Sequence, residues 1–239
     1  GGGDGFHTQN DPIDWRTVYC ESQGGALQRV NVETRESRMI RPTQTTVINF
    51  KEYYPEQPAA KPGAKPAAKP APAAKPAAKP AAKPEAKAPG AKPQAAGEPV
   101  PSGEEAMMAM AGRQAGPFRF NWSTPIYISP HNPRTIYVGG NHLFRSMDRG
   151  DKWMIISPDL TTNDKSKQQS SGGKIVTDNT AAEFHCTIIT IGPSPIDANV
   201  IWVGTDDGLV QVTRDGGQAW ENVTKTIKGL GPDNNWVTR

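Results

Sequence analysis

Cysteine is nearly absent from this chain, with two residues in 239. Cys20 and Cys186 are assigned to different strands of different repeats, so free thiols in apolar strands are expected rather than a disulfide framework. There is no CxxC, no HExxH and no His/Cys cluster at zinc spacing, and the four histidines are scattered. No metal and no cofactor is therefore expected. Neither a phosphate-binding glycine loop nor a Ser/His/Asp constellation occurs. No apolar run is long enough for a transmembrane helix.

A one-sided charge is also missing once the chain is divided by composition. The formal net charge is +3, but residues 58–116 hold nine Lys/Arg against four Glu. That leaves 27 − 9 = 18 basic and 24 − 4 = 20 acidic side chains elsewhere, a balance of about −2. The basic footprint with interleaved aromatics that nucleic acid requires is not present. Residues 58–116 are dominated by Ala-Ala-Lys-Pro repeats. Proline at that density blocks helix and sheet and favours an extended, solvated spacer, which composition predicts will pack on nothing. Lysines spaced along it also suit association with anionic cell-wall or envelope polymers.

What the chain does contain is a repeat. Ser146-Met147-Asp148-Arg149-Gly150-Asp151-Lys152-Trp153 and Thr213-Arg214-Asp215-Gly216-Gly217-Gln218-Ala219-Trp220 share the pattern [Ser/Thr]-x-Asp-x-Gly-x-x-Trp. Each position has a turn-forming reason. Asp148 and Asp215 accept backbone amides as Asx-turns do, while Gly150 and Gly217 supply a positive φ. Ser146 and Thr213 add a hydroxyl, and Trp153 and Trp220 are expected to bury a ring beneath the hairpin. These eight residues read as fold staples, not as catalytic or metal-binding groups.

A second register runs through Pro12–Tyr19, Pro130–Tyr137 and Pro195–Trp202: proline, six residues, then an aromatic after a β-branched residue. Central strands are predicted over Thr17–Ser22, Thr135–Gly139 and Val200–Thr205. Gly-containing hairpins and further strands at Ala26–Val32, Leu143–Ser146 and Leu209–Thr213 follow. In the first copy the box has decayed to Asn31–Glu36. Strand, hairpin, strand, box and strand build a four-stranded blade. The predicted fold is all-β: a β-propeller fragment of about three antiparallel blades with an Ala/Lys/Pro-rich insertion. The divisions are 1–57, 58–116, 117–183 and 184–239, the third with a long polar loop from Thr161 to Ala182 and the last reaching the start of a further blade. Beginning at Gly1 without methionine and stopping inside a strand-like run, the sequence reads as part of a longer protein.

The box resembles the Asp-box of bacterial-neuraminidase-type (BNR) repeats, found in sialidases, sortilin-like receptors and xyloglucanase-type glycoside hydrolases, whose propellers are of the WD40/YVTN-like kind. Phe118–Pro125, Leu143–Ser146, Ile156–Thr161 and Gly204–Gly208 are similar to a group of bacterial sortilin-like, glycosyl-hydrolase-like repeat proteins. That resemblance implies export, hence an extracytoplasmic location (periplasmic, secreted or cell-surface). It also implies a scaffold binding a protein or polysaccharide ligand. It further implies a hydrolytic alternative, because in xyloglucanase-type enzymes a catalytic Asp follows a Thr in a hairpin like Thr205-Asp206-Asp207-Gly208. Asp206 is the first catalytic candidate and Asp4 the second. Hydrolysis usually needs two carboxylates about 5 Å or 6.5–9.5 Å apart, and no partner acid can be placed opposite Asp206, whose Asp-Gly setting is already a hairpin signal. The expectation is accordingly a non-catalytic scaffold.

Overall fold

The computed structural model describes residues 5–55, 117–168, 184–230 and 236–238. The spacer at 58–116, most of the polar loop and Asp4 lie outside the described residues.

The three predicted copies are three four-stranded antiparallel sheets, each a meander in chain order. The first contains β1 (Gly5–Asn10), β2 (Thr17–Ser22), β3 (Ala26–Asn31) and β4 (Ser37–Met39). The second contains β5 (Ile126–Ile128), β6 (Ile136–Gly139), β7 (Leu143–Ser146) and β8 (Met154–Ile155). The third contains β9 (Ile188–Pro193), β10 (Ile201–Thr205), β11 (Val210–Thr213) and β12 (Glu221–Asn222). A four-residue helix, α1 (Phe50–Tyr53), and two short 3-10 turns are the only helical elements among the described residues. No helix there is long and apolar enough to cross a membrane. These are three blades of a β-propeller, and the predicted central strands are the second strand of each.

The proline register is the turn between the first and second strands. Asp11, Ser129 and Ser194, just before each proline, donate their amides to Thr17, Thr135 and Val200. Their side-chain oxygens accept amides across the turn: Ile13 and Asp14 on Asp11, His131 on Ser129, Ile196 and Asp197 on Ser194. The residue before the proline thus caps each turn, a position outside the Pro-to-aromatic register.

Packing is between blades as much as within them. One apolar cluster joins Tyr19, Leu27 and Ile40 of the first blade to Phe118, Ile136, Phe144 and Trp153 of the second. Another joins Leu143, Ile156 and Leu160 to Ile188, Ile201 and Val203 of the third. Residues 46–54 form a strap over the second blade. Trp153 N–H donates to Thr46 O and Ile48 N–H to Trp153 O, while the Asn49 side chain bonds both the amide and the carbonyl of Ile155.

Cys20 lies on β2 as expected, but Cys186 is not on a strand. It precedes β9 at φ 64°, in a turn where its carbonyl faces Arg119. Both thiols are free.

Candidate functional site

The two boxes fold almost identically. Ser146 Oγ donates to Asp148 Oδ1 at 2.8 Å and accepts Gly150 N–H at 2.8 Å, while Asp148 Oδ1 accepts Lys152 N–H at 2.9 Å. The matching distances in the second box are 2.9 Å to Asp215, 2.9 Å from Gly217 and 2.8 Å from Ala219. Two consecutive residues, not one, take positive φ in each: Arg149 with Gly150, and Gly216 with Gly217. The box glycine also solves a packing problem. A Cβ on Gly150 would meet the Ile40 side chain at 2.7 Å, and one on Gly217 would meet Ile156 O at 2.5 Å.

Each box tryptophan reaches to the preceding blade. Trp153 Nε1–H donates to Ile40 O at 2.8 Å and Trp220 Nε1–H to Ile156 O at 2.9 Å. Trp153 is fully buried, whereas Trp220 is half-buried. The strap accounts for this departure from the expectation of two buried rings: it closes over Trp153, and no described segment takes its place over Trp220.

Asp206 sits on the hairpin after β10, at the seam between the second and third blades. It is entirely buried, as is Asp207. Asp206 Oδ1 accepts Thr187 N–H at 2.9 Å, and Oδ2 accepts Thr187 Oγ–H at 2.6 Å and Asn121 Nδ2–H at 3.1 Å. Asp207 Oδ1 accepts the Thr205 hydroxyl, and Oδ2 accepts the amide and hydroxyl of Thr162 at 2.7 and 2.8 Å. All four carboxylate oxygens are therefore held by protein donors. Burial, and then the adjacent Asp207, pushes the Asp206 carboxyl above the usual carboxylate range, against the opposing pull of the Thr187 hydrogen bonds and nearby His185.

The second blade repeats this geometry without a charge. Asn141 stands where Asp206 stands. Its N–H donates to Arg119 O and its Oδ1 accepts Arg119 N–H, just as Asp206 exchanges both bonds with Thr187. Around it, Arg119 pairs with Asp159 at 2.8 Å and donates to Cys186 O. Burial acts to raise Asp159, but Arg119 and the Thr161 hydrogen bonds outweigh it and leave the carboxyl below its ordinary range. Among the described residues no group of three or more His, Cys, Asp or Glu could hold a metal.

Two features escaped sequence reasoning. Counting nine positions from the register proline gives Gly139 and Gly204 in two blades, but Glu21 in the first. Glu21 is only 2% exposed. Its Oε1 accepts Gly25 and Thr124 amides at 3.2 Å, and its Oε2 has no partner. Burial raises this carboxyl to about 8. The break in the register was the signal that could have found it. The second feature is an open groove across the first strands of the blades, lined by His7, Ser123, Tyr127, Ile189, Thr190 and Trp236 among others. Strand order alone does not show which side chains of β1, β5 and β9 converge.

No protein-family model and no curated protein matches the sequence. Among solved structures, the chain is similar to an ancestral GH74 enzyme (13% identity, TM-score 0.43), the match covering 98% of this chain and 19% of that one. It is also similar to the GH74 enzyme of Niastella koreensis (11% identity, TM-score 0.43), with 98% of this chain and 23% of that one covered. The chain thus spans about a fifth of the length of each.

Proposed function

We propose that these blades are a non-catalytic part of an extracytoplasmic propeller scaffold that binds a protein or a polysaccharide. The observation that carries this reading is the saturation of Asp206. A carboxylate that protonates a leaving group or attacks a sugar carbon must present an oxygen to the substrate. Both Asp206 oxygens face inward onto Thr187 and Asn121, and the residue has no exposed surface. The uncharged Asn141 in the same place on the second blade supports a hairpin-fixing role. Extracytoplasmic placement rests on the likeness of the boxes and of Phe118–Pro125 to exported repeat proteins, and the lysine-proline spacer suits contact with envelope polymers.

The test is turnover by the intact protein on β-glucans, xyloglucan and sialosides, wild type against Asp206→Asn, with circular dichroism to follow folding. No turnover by either form is expected. Hydrolysis that collapses in a folded Asp206→Asn protein would replace the scaffold with a glycoside hydrolase using Asp206.

A further inference from the structure

We propose that the groove across the first strands is the ligand site of this scaffold and that its ligand is an uncharged polysaccharide chain; the inference rests on the scaffold reading above. The groove has a volume of about 370 Å³ and draws on β1, β5, β9 and residues 236–238. Its walls come from all three blades.

Two of those strands carry a bulge at the same place. Between Gly5 and Thr8, β1 spends one more residue than its partner spends between Cys20 and Ser22. Between Ile188 and Thr190, β9 does the same against Gly204 and Thr205. A bulge leaves its extra residue outside the ladder and re-aims a side chain. His7 and Ile189, inside the two bulged stretches, both line the groove. The repeated irregularity builds the wall.

The chemistry of the lining selects the ligand. Among the described residues no Asp, Glu, Lys or Arg lines the groove, so a charged polymer would meet no counter-charge from them. Tyr127 and Trp236 are 36% and 59% exposed, presenting large rings to the opening. An exposed ring beside hydroxyls and an imidazole suits a partner that is apolar on its faces and polar on its edges. A pyranose ring has C–H faces and hydroxyl edges. The hydroxyls of Ser123, Tyr127, Thr190 and Thr238 supply both donors and acceptors at the rim. An open groove shared by successive blades admits a chain rather than enclosing a small molecule.

Affinity electrophoresis of the full chain in gels holding galactomannan, xyloglucan or laminarin, with polygalacturonate and heparin as charged controls, tests this. Retardation by at least one neutral polymer is expected, with at least tenfold weaker binding for Tyr127→Ala and Trp236→Ala. Ile196→Ala, at a side chain 92% exposed on a turn outside the groove lining, should bind normally. Thermal melts establish that the variants fold, and Thr190→Val offers a near-isosteric change should either aromatic variant fail. No retardation by any neutral polymer, preference for the anionic ones, or retardation that survives these substitutions would overturn the proposal. Those results leave the scaffold reading standing, whereas Asp206-dependent turnover removes the scaffold reading alone.

Discussion

Glu21 is the residue whose placement has the clearest thermodynamic consequence. Its folded value of about 8 lies above its ordinary 4.5 because burial disfavours the charged form. Between those values the folded chain keeps a proton that the unfolded chain has released. The stability Glu21 confers is therefore fully present below about 4.5 and lost as pH rises through about 8. Glu21→Gln should flatten this contribution and make the protein more stable than wild type at pH 8. Urea denaturation at intervals from pH 4.5 to 8.5 would show it; parallel curves for the two proteins would mean that Glu21 is hydrated in solution. The unpartnered Oε2 is also removed as a charge by this substitution, so the gain at high pH should come without a new buried anion.

At the scale of elements, the boxes join blades rather than merely ending hairpins. Trp153 is enclosed by the preceding blade and the strap, and Trp220 rests on the preceding blade with one side open. Trp153→Ala should cost about 3–5 kcal/mol, as burial of a whole aromatic ring implies, and Trp220→Ala distinctly less. Calorimetry on the two variants would measure the difference; equal losses would mean that the open side of Trp220 is covered in solution. The turns and strands were legible because their signals are local: a hydroxyl, a carboxylate and a glycine at fixed spacing specify the box wherever it lies. The Trp220 environment was not, since it depends on what another segment covers. Nor was the Asn141–Asp206 equivalence, because amide and carboxylate look unlike in sequence yet offer the same acceptor to a backbone N–H. The groove was illegible for the same reason: two bulges of one residue decide where His7 and Ile189 point.

Across the whole molecule, the strap ties the first two blades together through a histidine. Tyr54 Oη lies 2.5 Å from His142 Nε2, and His142 Nδ1–H donates to Ser157 O at 3.0 Å, so Nε2 is the acceptor. Burial holds His142 below its usual value of 6.5, assisted by Arg119 and opposed by Asp159 and the backbone bonds. With the folded value depressed, its contribution to stability is complete above about 6.5 and is lost as pH falls through the folded value. Protonation also turns Nε2 into a donor facing the Tyr54 hydroxyl. Hydrogen exchange at the amides of residues 50–54 should therefore speed up relative to the rest of the chain as pH falls below 6.5 through the folded value. His142→Gln should lose that pH dependence. Uniform change across all three blades would place the acid-sensitive group elsewhere.

The joints between blades have a further consequence. Ile40 and Ile156 present the same socket, a carbonyl for an indole N–H and a surface only a glycine can approach, and each box is the matching plug. A socket that accepts any box makes blades exchangeable units. Duplication of the second blade would leave a socket facing a plug at each new joint. Copy number in such an array can drift while every joint keeps its geometry, and the parts that resist exchange are those added to one joint alone: the strap, and the Arg29–Asp151 pair across the first seam.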